Sequence, residues 1–208
     1  MKLISIHSIA VTFSKVIARE LNFDNVKRAK ISYGLEATIG AIIKIVLFPV
    51  VFFLFGVLKQ SLIALLTIAI LRYASGGTHC KTFIRCLFVS TALLVSIGMF
   101  AKALVINNYL YYVLNIVCFI IIVLRSPVDP PEKPIKTKQK RYIMKLLSTL
   151  ILILLIYISS ITIEIDVKNS IILAMYLQVL TLTLTGWDKT FFNFIDQLKL
   201  KTKEVNIE

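Results

Sequence analysis

The residues best equipped for chemistry lie in one short stretch, Arg72 to Cys86, which reads RYASGGTHCKTFIRC. It holds one of the two histidines and two of the three cysteines. A thiol and an imidazole are the minimal parts of a cysteine nucleophile and its base. Gly76 and Gly77 beside them let the backbone turn, or approach a substrate, with no Cβ in the way. A polar helical hairpin with a buried histidine is the plainer use of the same residues. Structural zinc takes close cysteine pairs and four ligands. Cys80 and Cys86 have neither that spacing nor the Cys-x-x-Cys form of a redox pair, so neither a metal nor another cofactor is expected.

His79 and Cys86 stand seven residues apart. On one unbroken helix they would lie about 10 Å apart along the axis, at roughly 1.5 Å rise per residue. A base must come within about 3 Å of its nucleophile. If the two act as a pair within one subunit, the chain must bend between them. Thr82 is placed to cap a new helix at that bend. Cys86 then falls in or just after the first turn, with the positive end of the helix dipole, Lys81 and Arg85 beside a thiolate.

The elements that must position this stretch are apolar. The chain has 208 residues, is 58% hydrophobic and carries a net charge of +13, with a mean hydropathy of +0.85. Such a composition excludes an ordinary soluble domain and predicts a single all-α integral membrane domain over 1–208. The basic residues cluster between apolar runs. Orientation by the positive-inside rule and contact with anionic lipid explain them better than nucleic acid does. Three cysteines do not build a disulfide framework, and no cleavable signal is expected at the start.

In chain order, 1–30 reads as an amphipathic interfacial helix, with Ile9, Phe13, Val16, Ile17 and Leu21 at helical spacing among Lys15 and Arg19. About six membrane-embedded segments follow: Tyr33–Leu58, the short Ser61–Leu71, Leu87–Val105, Tyr109–Leu124, Ile143–Ile163 and Ser170–Trp187. At eleven residues Ser61–Leu71 covers only about half a hydrocarbon core, so it either runs on into the polar stretch or sinks that stretch into the membrane. Glu36 and Lys44 are ionisable groups inside the first span, which marks them as functional candidates. Cys118 reads as packing. Thr181, Thr183 and Thr185 either bond across helices or to their own backbone. The Pro-rich basic loop 125–145 and the tail 188–208 are expected in the cytoplasm with the N-terminus and the polar stretch.

The combination resembles the accessory gene regulator protein B (AgrB) family, membrane cysteine endopeptidases of Gram-positive quorum sensing. The residues that carry the resemblance are the glycine pair with His79 and Cys86, Tyr33-Gly34-Leu35-Glu36 at the first span, and Ser126-Pro127-Val128-Asp129-Pro130 with Glu132-Lys133-Pro134-Ile135. It covers nearly the whole chain. It implies Cys86 as nucleophile and His79 as base, with Arg72 and Gly77 as supporting residues. Cys80 departs from the small residue expected beside the histidine. An AgrD-type precursor peptide is the implied partner, and a homodimer the implied assembly in the bacterial cell membrane. Cleavage of the precursor's tail through a thioester on Cys86, then ring closure to a thiolactone or lactone, is the implied reaction. Lys81 and Arg85 are candidate substrate contacts, and Glu36 a candidate to orient His79. The competing expectations are a small transporter or exporter using Glu36 and Lys44 as pathway charges, and a membrane assembly factor with no substrate.

Overall fold

The computed structural model describes residues 6–77, 82–128 and 137–183. Its described residues form seven helices: α1 (Ile6–Glu20), α2 (Asn25–Leu54), α3 (Leu58–Ser75), α4 (Phe83–Ala103), α5 (Asn108–Arg125), α6 (Lys138–Ile161) and α7 (Ile165–Thr183). Six of these, α2 to α7, are long and apolar enough to cross a membrane. The protein is an all-α integral membrane protein. The chain divides into two compact units, 1–51 and 52–208.

The first unit holds α1 and most of α2. The side chains of Ala10, Ser14 and Ala18, four residues apart, are buried, whereas Phe13, Val16 and Leu21 are exposed with Lys15 and Arg19. That leaves α1 an outward face of apolar and basic residues, as an interfacial helix requires. The Asp24 carboxylate accepts the Lys27 N–H at 2.9 Å and so starts α2 at Asn25. The first span therefore begins well before Tyr33, because nothing between Asn25 and Tyr33 breaks a helix. It also stops at Leu54, four residues before the expected end, and Gly56 with φ +67° carries the turn. Pro49, inside α2, cannot donate to the Ile45 carbonyl.

The second unit is a helical bundle in which α7 packs against α3, α4, α5 and α6. Its core is Leu71, Cys118, Ile122, Leu152, Ile172, Met175 and Val179 with their neighbours. Cys118 is fully buried there, in keeping with a packing role. In lipid, helices gain little from apolar burial alone, so close approach and interhelical hydrogen bonds matter more. Both are present. Ser61 Oγ donates to the Leu94 carbonyl at 2.9 Å, tying α3 to α4. A Cβ on Gly98 would overlap Ser61 Oγ and lie 2.8 Å from Val57 Cβ, so this crossing needs glycine. Tyr111 Oη pairs with Ser159 Oγ at 2.7 Å and Ser160 Oγ at 2.9 Å, tying α5 to α6. Among the described residues, the buried amide of Asn115 has no hydrogen-bond partner on either atom.

The boundaries differ from several expected ones. Of the two alternatives for Ser61–Leu71, the segment runs on into the polar stretch: its helix extends from Leu58 to Ser75, taking in Arg72 and reaching 18 residues. The expected Ser170–Trp187 segment begins earlier, with α7 starting at Ile165 and taking in Asp166 and Lys168. Thr181 and Thr183 donate to the Gln178 and Leu180 carbonyls, at 2.7 and 2.8 Å, bonding their own helix. Asn107 caps α5, its side chain accepting the Leu110 N–H at 2.8 Å. Thr185, Trp187, the tail 188–208 and the loop positions 129–136 lie outside the described residues.

Candidate active site

Helix α3 ends where Ser75-Gly76-Gly77 replaces its apolar run. Gly76 has φ +72° and ψ −150°, a conformation essentially confined to glycine. A Cβ there would also collide with the Val128 carbonyl oxygen. The Gly76 N–H still bonds back to the Arg72 carbonyl at 2.9 Å. Beyond it the backbone pairs with the segment that follows α5. The Val128 N–H donates to the Ser75 carbonyl at 3.0 Å, and the Gly77 N–H donates to the Val128 carbonyl at 3.3 Å. Ser126 fixes that segment in turn, its hydroxyl 2.7 Å from Ser148 Oγ on α6.

From α7 comes Gln178, 1% exposed. Its Nε2 donates to the Gly76 carbonyl at 2.8 Å and to Ser75 Oγ at 3.1 Å. Its Oε1 accepts from Arg72 Nη1 at 3.4 Å. Gly77 lies against the same groups: a Cβ on it would stand 3.3 Å from Arg72 Cζ and 3.3 Å from Thr181 Oγ1. Arg72 and Gly77, both expected from the sequence, are therefore neighbours. Gln178 and Ser75 are the residues that sequence reasoning missed. The signal for Gln178 was present, as an amide in the middle of an apolar span.

Cys86 sits on α4. Thr82 occupies the position before the helix, in extended conformation, and its carbonyl accepts the Cys86 N–H at 3.0 Å. The new helix at Thr82 is thus found, with Cys86 at the close of its first turn. The expected capping bond is not: the Thr82 hydroxyl makes none. Cys86 and Arg85 are both half-buried. Helix α3 ends at Ser75 and α4 begins at Phe83, so the stretch is not one unbroken helix. His79, Cys80 and Lys81 themselves lie outside the described residues. Glu36 belongs to the first unit, where it lines a notch with Val11, Ser14, Arg28, Ala29, Ser32 and Tyr33.

The two ends of the bundle differ in charge. The end with the glycine turn carries Arg72, Arg85, Arg125, Lys138, Lys140, Arg141 and Lys145. The other carries both signs. There Lys59 pairs with Glu164, Gln60 with Asp166, and Lys102 with the Gly56 carbonyl. Asn169 bonds the Ala101 and Leu104 carbonyls at 3.1 and 2.8 Å.

The sequence profile described as Accessory gene regulator B matches residues 10–182. The chain belongs to the AgrB family. It is 31% identical over 198 residues to an AgrB-like protein of Clostridium perfringens strain SM101, covering 87% of this chain and 92% of that one. A second AgrB-like protein, from C. perfringens strain 13, is 29% identical over 204 residues and 95% of each chain. Accessory gene regulator protein B of Staphylococcus aureus strain RF122 is 24% identical over 145 residues, 68% of this chain and 78% of that one. No solved structure matches. AgrB membership ties the chain to accessory gene regulator quorum sensing and contains the whole of the site just described.

Proposed function

We propose that this chain is a membrane-embedded cysteine endopeptidase. It removes the C-terminal tail of an AgrD-type precursor and promotes closure of the remainder into a thiolactone or lactone. The observation that carries the reading is the placement of Cys86 in the first turn of α4, just beyond a glycine turn held by two other segments, in a chain of this family.

His79 takes the Cys86 proton, and the thiolate attacks the carbonyl of the scissile peptide bond. The C–N bond breaks, and the departing amine takes its proton from the imidazolium. The acyl group is left as a thioester on Cys86. A thiol or hydroxyl of the precursor then attacks that thioester carbonyl. The ring closes, and the proton of the attacking group returns through His79 to Cys86. Excluding water protects the thioester while it waits for the internal nucleophile. Arg72, Lys81 and Arg85 hold carboxylates of the substrate by charge-assisted hydrogen bonds. Glu36 orients His79. Anionic lipid and the precursor's amphipathic leader lie against the basic and apolar face of α1. The acting unit is a homodimer in the cell membrane, with the basic end, the N-terminus and the tail in the cytoplasm.

The test is Cys86→Ala, co-expressed with a tagged precursor. Tail release should disappear while protein level and precursor capture persist. Continued cleavage by that variant would remove Cys86 as nucleophile and favour the transporter reading. With the precursor's cyclising side chain deleted, mass spectrometry should find the acyl group on Cys86.

A further inference from the structure

We propose that Gln178 is a positioning residue that couples Arg72 to the glycine turn, so that capture of a substrate carboxylate and placement of the segment leading to His79 depend on one buried amide. The inference rests on the endopeptidase reading and deepens it.

The Gly76 carbonyl and the Gly77 N–H belong to the same planar peptide unit. Gln178 holds its carbonyl from α7, and the Val128 carbonyl holds its N–H from the segment after α5. The preceding unit is held as fully: Val128 N–H bonds the Ser75 carbonyl, and Gly76 N–H bonds the Arg72 carbonyl. Two consecutive peptide planes are thus fixed at the point where the chain leaves α3 toward His79. Glycine alone would leave this point the freest in the chain. The bonds remove that freedom.

The Gln178 amide is matched in direction. Its oxygen faces the guanidinium of Arg72, and its nitrogen faces the Gly76 carbonyl and Ser75 Oγ. Thr181 and Thr183 on the same helix spend their hydroxyls on their own backbone. Gln178 spends its amide entirely on the turn and on Arg72. An amide buried in a span costs free energy unless its bonds are made. Drawing Arg72 toward a carboxylate changes the load on Oε1, and through the same amide the hold on the Gly76 carbonyl.

The experiment uses the full chain in lipid nanodiscs, a synthetic precursor, and kcat and KM for tail release. Gln178→Glu keeps the length and the acceptor toward Arg72 but sets an oxygen against the Gly76 carbonyl. We expect kcat to fall about 10²-fold, the usual consequence of a misplaced catalytic group, with KM little changed. Gln178→Leu removes both contacts, so kcat should fall and KM rise. Amide exchange at Gly77 should quicken in both. Ser75→Ala loses the bond its hydroxyl accepts from Gln178 and the 3.4 Å bond it donates to the Gly76 carbonyl, keeps the Gln178–Gly76 and Gln178–Arg72 bonds, and should fold normally with a smaller fall in kcat. Wild-type constants in the Gln178 variants overturn the proposal. So does a loss that merely follows the fraction of folded protein, with unchanged Gly77 exchange. If the Gln178 variants do not accumulate, an unchanged kcat in Ser75→Ala overturns it. Equal cleavage by wild type and Cys86→Ala would instead defeat the endopeptidase reading, and Gly77 exchange would still report on the clamp.

Discussion

Gly76 shows how one residue type decides a local geometry. Its φ of +72° and the overlap of any Cβ with the Val128 carbonyl both exclude a side chain. Gly76→Ala should therefore open the pairing with Val128, at a cost of about 1–3 kcal/mol in backbone strain. The expected outcome is loss of tail release from protein that still inserts, read by product analysis of membrane fractions. Asn115 predicts the opposite sign. Both of its amide atoms are buried without a partner among the described residues. Removing such a group relieves a penalty of about 1–3 kcal/mol, so Asn115→Leu should raise the thermal midpoint in detergent. The candidate site residues could be named from the sequence, because glycine, histidine and cysteine carry their chemistry in their type. Arg72 and Gly77 were expected only as supporting residues implied by the family resemblance, and their proximity comes from the fold. Gln178 was not expected, because its partners come from an element 106 residues away and no local pattern announces that contact.

At the scale of elements, the apolar runs gave the number of helices and missed their ends. Hydrophobicity marks what dissolves in lipid, whereas helix ends are set by capping and backbone bonds. Asp24 starts α2 eight residues before the apolar run at Tyr33, and α3 continues through Arg72 to Ser75, with Leu71, Ala74 and Ser75 buried. The crossing of α3 and α4 depends on Gly98 and the Ser61–Leu94 bond. Gly98→Ala would push these helices apart, and overpacking of this kind costs about 1–3 kcal/mol. A lowered thermal midpoint, with Ser61→Ala adding less to Gly98→Ala than to wild type, would check that the two act at one contact.

For the whole molecule, the apolar runs predicted about six crossings and the basic segments their cytoplasmic side. Within the second unit, the ends of α3 and α5 meet through Ser75, Gly77 and Val128, and the starts of α3 and α7 meet through Gln60 and Asp166. Reporter cysteines at 131–136 and after 188 should therefore label from the cytoplasm, and those at 104–106 and 162–163 from outside. Labelling of both sets from one side would reject the arrangement. The sequence could not show how the far rim is built, since Lys59, Gln60, Lys102 and Asn169 look like ordinary surface residues until their partners are known. That rim bears on the fate of the product. On the proposed reading, a ring closed beside the glycine turn would face, along the bundle axis, the buried layer of Leu71, Ile122, Leu152, Met175 and Val179, and beyond it the margin where Lys59 pairs with Glu164, Gln60 with Asp166 and Asn169 with Ala101. Among the described residues that intervening layer is packed apolar side chain, so the proposed reading predicts that a finished ring is released toward the basic end from which its precursor entered.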